Sequence, residues 1–378
     1  MNKQFLILLF SVIFLSSCSE KGKTDETDRN DNAKIIAYVH GWQDNWGPNN
    51  EKANQITHIN YAFANIKDGK VIEGNDSDGE VFEKLNELKQ ANKELKILIS
   101  VGGWGWSKNF SDAVLTENSR QIFANSAIDF MLNHKIDGID LDWEYPGQIG
   151  DNNVFRPEDK ENFTAILKLL REKLDSVSKG NNNYLLTIAT GANQNYLDHT
   201  NMKEAQKYLD FINIMTYDYY TGGSKTAGHH ANLFRSEFDS VKGRNSARAV
   251  DEHVKSGIPI EKLVLGVPFY GRWWKGTTPE NNGLYQLATG KTGSYSYKTI
   301  ADSIAGKTFN SYWDESAKAS YVWREKDSLF MTYESPKSMQ YKIDYVKNNK
   351  MGGIMFWQFN GDNGTLLDSI FKNLQLQE

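Results

Sequence analysis

Short apolar runs recur along this chain, separated by polar or amphipathic stretches. Eight stand out: 35–39, 56–63, 95–101, 136–143, 185–189, 211–216, 263–267 and 353–357. Each has strand length and is rich in Val, Ile, Leu, Phe or Tyr. Near-continuous apolar runs of this kind predict strands covered on both faces. Between several of them, apolar residues fall three and four apart. Residues 118–134 and 161–178 are the clearest cases and predict amphipathic helices, as does 337–350. Strand alternating with helix predicts parallel βαβ units. Eight such units predict an α/β fold, a (β/α)8 TIM barrel. The rival is an open doubly wound sheet, but no G-x-G-x-x-G loop follows the first run.

The last two runs are unusually far apart. Residues 273–333 are rich in Gly, Thr, Ser and aromatics, among them Trp274, Tyr285, Tyr295, Trp313 and Trp323. That is too long for an ordinary crossover. The stretch predicts a small α+β insertion domain between strands 7 and 8. It is expected at the carboxyl-end face, where active sites of barrels lie.

The chain has 378 residues and a formal net charge of -5, which offers no broad basic surface to a nucleic acid. Ten Trp and eighteen Tyr suit either a dense core or stacking on flat apolar ligand faces. At the amino end, Lys3 precedes an apolar stretch, 5–15. A bilayer span needs about 20 such residues, so this one has the length of a signal-peptide core instead. It ends in Leu15-Ser16-Ser17-Cys18, which resembles the lipobox of bacterial lipoproteins. The resemblance implies removal of residues 1–17 and lipidation of Cys18, the chain's one cysteine. Export and anchoring to a bacterial membrane, outer membrane or cell surface, would follow. Residues 19–33 contain no aromatic and no β-branched apolar residue, and predict a flexible tether. The folded part is expected to begin near Lys34.

The fourth run continues as Asp137-Gly138-Ile139-Asp140-Leu141-Asp142-Trp143-Glu144-Tyr145-Pro146. Side chains alternate along a strand, so Asp140, Asp142 and Glu144 share one face. In a parallel sheet covered on both sides, those carboxyls point into the barrel. Barrel interiors are normally filled by Val, Ile and Leu, so stability alone gives no reason for three acids there. Crowded carboxyls in a dry site cannot all ionise, and at least one pKa rises. A carboxyl that keeps its proton near neutral pH is what a general acid requires.

Residues 137–146 resemble the DGxDxDWEYP signature of family 18 glycoside hydrolases, the chitinases. Other landmarks follow in the family's order. Ser100-Val101-Gly102-Gly103-Trp104 is similar to its SxGG motif, and Met215-Thr216-Tyr217-Asp218 to its MxYD motif. Gly266-Val267-Pro268-Phe269-Tyr270-Gly271-Arg272 is similar to GxPFYGR, and Gly353 to Trp357 forms the eighth strand. The resemblance covers nearly all of the chain after the tether. It implies a retaining hydrolysis of β-1,4-linked N-acetylglucosamine chains in which the substrate's own acetamido oxygen is the nucleophile. Glu144 is the implied proton donor, and Asp142 the partner of the acetamido N–H. Asp140 is its proton-sharing neighbour, and Tyr217 holds the acetamido oxygen. Trp357 is the implied floor of the sugar site, and Trp104, with Gly102 and Gly103, the leaving-group side. Tyr38, Phe63, Tyr145, Met215, Asp218, Tyr270 and Arg272 are further implied substrate contacts. Asp137 is expected to serve structure.

One departure concerns the residues after the MxYD motif. Many relatives carry a further Trp there, whereas this chain reads Tyr219-Tyr220-Thr221. A leaving-group subsite built from Tyr, or a weaker one, is expected. His229-His230 lacks a third residue at metal spacing and reads as a loop feature. No metal or organic cofactor is expected, nor a nucleic-acid partner, and the protein is expected to be a monomer. Two rivals remain. One is an endo-β-N-acetylglucosaminidase acting on N-glycans with the same acids. The other is a non-catalytic chitin-binding lectin, a type that typically lacks the acid.

Overall fold

The computed structural model describes residues 33–41, 48–178, 183–241 and 243–374. Cys18 and the tether 19–33, apart from Ala33, lie outside the described residues. The strands in chain order are β1 (Lys34–His40), β2 (His58–Lys67), β3 (Lys70–Ile72), β4 (Lys96–Gly102) and β5 (Gly138–Asp142). They continue as β6 (Leu185–Gly191), β7 (Phe211–Met215), β8 (Leu263–Pro268), β9 (Tyr270–Lys275) and β10 (Thr292–Ser296). The last are β11 (Asn310–Asp314), β12 (Ala319–Arg324), β13 (Leu329–Tyr333) and β14 (Gly353–Trp357).

Hydrogen bonding runs β1-β14-β8-β7-β6-β5-β4-β2, and β1 pairs with β2 to close the circle. All these pairings are parallel. The closed eight-stranded barrel is therefore the fold, and the open sheet is excluded. β3 only adds a short antiparallel hairpin to β2. The apolar runs mark the strands to within a few residues. The fourth run is trimmed to β5 because Lys135 turns with a positive φ of 55°. Asp137 secures that turn: it accepts the Ile97 amide at 2.8 Å and pairs with Lys89 at 2.6 Å.

The expected helices form at Glu117–Asn133, Asp159–Val177 and Pro336–Asn348. Two open with reciprocal caps, Thr116 with Ser119 and Ser335 with Ser338, which satisfy amide groups the helix itself cannot. Their apolar stripes cover the outer faces of the strands. Trp143 shows the pattern: it points outward from the end of β5 and is 1% exposed. Its ring stacks on Phe110 at 5.0 Å and meets Phe163 edge-on at 6.0 Å.

Strands β9 to β13 form a separate five-stranded antiparallel sheet, ordered β10-β9-β13-β12-β11, with helix Tyr297–Ser303 beside it. This sheet starts at Tyr270 rather than near Trp273. The chain leaves the barrel at Pro268, so Tyr270 and Arg272 already belong to the small sheet. Buried polar groups fasten it to the barrel. His229, fully buried, has Nε2 3.4 Å from Asp314 on β11 and Nδ1 3.2 Å from the Thr332 hydroxyl on β13. Lys342 donates to the carboxylate of Glu334, just past β13, and to the Ala231 carbonyl beyond β7. The His229-His230 pair thus lies in a loop, yet is part of the interior. Among the described residues, no group of three His, Cys, Asp or Glu is arranged to hold a metal.

Lys342 is 0% and Glu334 3% exposed, so removing one partner strands the other charge. Lys342→Met is expected to cost roughly 3–5 kcal/mol in urea unfolding. Lys342→Met combined with Glu334→Leu is expected to recover most of that loss. Equal losses in the single and double variants would show that the ion pair is not the cause.

Candidate active site

The carboxyl ends of the parallel strands all open on one face, where a cleft of about 1050 Å³ lies between the barrel mouth and the small sheet. Its chemistry centres on β5. Asp140, Asp142 and Glu144 are 0%, 4% and 8% exposed, and all face the barrel interior. Asp140 lies deepest. Four donors from four other strands converge on its carboxylate. Tyr38 on β1 and Ser100 on β4 donate to Oδ2 at 2.8 Å each, while Thr187 on β6 and Asn213 on β7 donate to Oδ1 at 2.5 and 3.5 Å. Burial pushes the Asp140 pKa up, and these hydrogen bonds oppose the rise.

Asp142 is treated differently. Its Oδ1 is buried and receives no hydrogen bond from the described residues. Burial, then the neighbouring Glu144 and Asp140, push its pKa well above the usual carboxylate range. Glu144 is raised to about 7, first by burial. The Tyr145 hydroxyl opposes that rise, and the Asp218 carboxylate adds to it. Ser107 fixes the local backbone. Its hydroxyl oxygen accepts the Glu144 amide at 2.9 Å and lies 2.9 and 3.0 Å from the Gly103 and Asp142 carbonyls.

Glycines at the end of β4 permit this approach. Gly102 has φ +104°, and a Cβ there would stand 2.5 Å from the Asp142 carbonyl oxygen. Gly103 has φ +77°, and its Cβ would meet the Phe63 ring at 2.6 Å. Its amide donates to the Asp142 carbonyl at 2.7 Å. Neither position accepts a side chain without displacing the strand ends.

At the end of β7 and just past it, Met215 and Tyr217 also line the cleft. Burial, then Asp142 and Glu144, push the Tyr217 pKa up, so its hydroxyl stays a donor. Asp218 follows in the left-handed region at φ 58°. Its two carboxylate oxygens accept from Arg272 Nε at 2.9 Å and Nη2 at 2.6 Å, a bidentate pair. His230 Nδ1 lies 3.5 Å away. Burial pushes Asp218 up, but His230 and Arg272 outweigh it and hold the carboxyl below its ordinary range. Tyr270 sits edge-on to Tyr217 at 6.3 Å.

The floor is aromatic. Trp357 at the end of β14 stacks on Phe63 at 5.5 Å and has the His40 ring edge-on at 5.8 Å. Trp104 is 54% exposed at the mouth, 6.4 Å from Tyr145. An exposed indole of this kind is free to stack on a ligand. The three cis peptide bonds among the described residues, Ala62–Phe63, Glu144–Tyr145 and Trp357–Gln358, all border this cleft.

Most residues singled out in the sequence meet on these walls, with three exceptions. Tyr38 is 2% exposed and stands beneath the cleft, where its hydroxyl is taken by Asp140. Its hydroxyl supports that acid. Asp140 is likewise below the lining, and Gly103 shapes the wall without forming it. Conversely, the cleft contains residues that the sequence did not reveal: His40, Trp106, Asn193, Arg244 and Gln358. Trp106 had a signal in the repeated Gly-Trp of residues 103–106. Asn193 and Arg244 had none, since they lie at the starts of loops and helices with no periodic pattern around them.

Comparison with known proteins agrees with this geometry. The model for "Glycosyl hydrolases family 18" matches residues 34–362. Chitinase A1 of Niallia circulans is 35% identical; the match covers 97% of this chain and 61% of the relative, so the chain spans less than two thirds of that protein. A solved structure of a family 18 N-acetylglucosaminidase from Paenibacillus barengoltzii aligns with a TM-score of 0.84 and 37% identity, covering 91% of this chain and 100% of that one. Chitinase ChiA74 from Bacillus thuringiensis aligns with a TM-score of 0.86 and 33% identity, covering 91% of this chain and 70% of that one. The matched region takes in every barrel strand, the small sheet and all three acids, and the chain belongs to glycoside hydrolase family 18.

Proposed function

We propose that this protein is a chitinase. It hydrolyses β-1,4-linked N-acetylglucosamine chains with retention of configuration, with Glu144 as proton donor. The observation that carries the reading is the division of labour at the carboxyl end of β5. One buried carboxyl, Glu144, has a pKa near 7, and beside it Asp142 offers a buried oxygen with no partner among the described residues. An unpaired buried acceptor is costly unless a ligand satisfies it. The N–H of a substrate acetamido group supplies the missing donor.

The steps follow from that arrangement. The sugar at the cleaved bond rests on Trp357. Tyr217 donates its hydroxyl to the acetamido oxygen and aligns it with the anomeric carbon. That oxygen attacks, the glycosidic bond breaks, and Glu144 gives its proton to the leaving oxygen. Asp142 accepts the acetamido N–H and offsets the positive charge of the oxazolinium-like intermediate. Asp140 and Asp142 share a proton as a coupled pair, so charge can concentrate on Asp142 when the intermediate forms. Water then attacks the anomeric carbon as Glu144 takes a proton back. Atoms and charge balance over the two steps, and the acid ends as it began.

The similarity to a Paenibacillus N-acetylglucosaminidase supports a second reading at the product level, the release of single sugars rather than longer oligomers. Action on N-glycans has weaker support. A lectin role has the least, because Glu144, Asp142 and Tyr217 are all present. We also propose that Cys18 carries a lipid and holds a monomeric, exported protein on a bacterial membrane.

Three measurements check these statements. Glu144→Gln is expected to lower turnover of N-acetylglucosamine tetramer and hexamer roughly 10²–10⁴-fold while oligomer binding persists. Turnover near the parent level would remove Glu144 as the acid, and cleavage of a glycoprotein in place of the oligomers would favour the N-glycan enzyme. The donor must be protonated, so kcat/KM is expected to be full below about 7 and to fall as pH rises through that value. A rate that holds constant well into alkaline pH contradicts this assignment. Finally, Cys18→Ser expressed in a bacterial host is expected to leave the membrane fraction and to lose labelling by a fatty acid. Labelling that survives the substitution would refute the anchor.

A further inference from the structure

Arg244 sits immediately before Asn245, whose side chain caps helix Ser246–Lys255 by accepting the Arg248 amide at 2.9 Å. Its own carbonyl accepts from Asn232 Nδ2 at 3.1 Å. Both contacts hold its backbone at the barrel face beyond β7. The residue is half-buried and lines the cleft together with Tyr219 and Thr221. These two residues belong to the stretch where a further Trp was expected by resemblance. This wall of the cleft is thus polar and cationic.

Among the described residues, Arg244 makes no ion pair. The other arginine of the lining, Arg272, is fully engaged by Asp218 through two hydrogen bonds. Glu252, whose charge acts with that of Arg244 on Tyr219, is engaged by Arg248 Nε at 2.8 Å. Glu144 holds its proton to higher pH than an ordinary carboxyl, so in mildly acidic solution it adds little negative charge. His40, lowered by burial to about 4, adds no positive charge. Arg244 thus brings a local positive field to this one wall of the cleft, in a protein whose formal net charge is -5. A cleft with low-dielectric walls strengthens such a field.

Position gives this field a role. Trp357, Phe63 and His40 come from β14, β2 and β1, on one half of the barrel mouth. Glu144 follows β5, and Arg244 follows β7, on the other half. A sugar resting on Trp357 with its glycosidic oxygen at Glu144 sends the next unit toward the β5–β7 half. We propose that Arg244 sets specificity for that leaving-group unit: it accepts a neutral N-acetylated or a carboxylate-bearing sugar and repels a deacetylated one, whose amine is cationic. This rests on the hydrolase reading and adds a repulsive element to it, which is how a site discriminates between substrates of nearly equal shape.

The test is digestion of partially deacetylated chitin oligomers in mildly acidic buffer, where the amine is charged. Sequencing of the products by mass spectrometry reads which sugar stood on the leaving side of each cut. The unsubstituted protein is expected to produce new non-reducing ends that are almost all N-acetylated. Arg244→Gln is expected to raise the glucosamine share at those ends roughly five- to tenfold. Arg244→Lys is expected to keep the exclusion, and high salt to weaken it in the unsubstituted protein. The salt and lysine readouts separate a charge effect from a loss of local packing. Full activity of Arg244→Gln on acetylated hexamer with an unchanged glucosamine share overturns the charge assignment alone. Inactivity of the unsubstituted protein on acetylated hexamer overturns the hydrolase reading and this inference with it.

Discussion

Keeping the Asp140 carboxyl inside a parallel barrel is the constraint on which the rest of this structure depends. A carboxyl with no exposed surface is expensive unless hydrogen bonds replace its water. Here the replacements come from β1, β4, β6 and β7, through Tyr38, Ser100, Thr187 and Asn213. No two of them share a strand, so the arrangement exists only when the circle of strands is closed and in register. Closure of the barrel and tolerance of the acid are thus one requirement. Asp142, two residues on along the same face, has no such shell. It inherits the dry environment and the charge of its neighbours without their compensation, and that imbalance makes it receptive to a ligand donor.

The second body of the protein serves the same cleft from above. Tyr270 and Arg272 are reached because the chain leaves the barrel at Pro268 and enters the small sheet at once. Register then puts Ser296 opposite Tyr270 and Ser294 opposite Arg272, so one sheet face delivers all four to the cleft. The Asp218–Arg272 pair spans the seam between the two bodies. Because Asp218 stays ionised, it contributes to raising Glu144. The docking of the small sheet therefore bears on the proton affinity of the acid as well as on the shape of the wall. The buried His229–Asp314 and Lys342–Glu334 contacts anchor that seam further out.

The sequence made the barrel legible because strand-length apolar runs and amphipathic helices carry their own periods. It made the acids legible because alternation on a single strand fixes which side chains share a face. Relations across strands were harder to see. Tyr38 looked like a ligand contact, since an aromatic at the end of a first strand carries no sign of what its hydroxyl will meet. Only the closed register, with Tyr38 donating to Asp140, assigns it to the interior. His229 looked like loop material for the same reason: its partners, Asp314 and Thr332, lie far along the chain. Arg244 and Asn193 belong to connecting segments, whose conformation is set by caps and long-range contacts that no local period reports.

These two classes of residue also divide the work of the cleft. The legible ones lie on strands or within a few residues of their carboxyl ends, where the backbone is held by neighbours on both sides. Two that the sequence did not reveal, Asn193 and Arg244, lie on loops beyond β6 and β7, outside the hydrogen-bonded strands. Arg244 takes no part in the hydrogen bonds that keep Asp140 buried. On the proposed reading, the chemistry is constrained by the closure of the barrel, while selectivity on the leaving-group side rests with the loops.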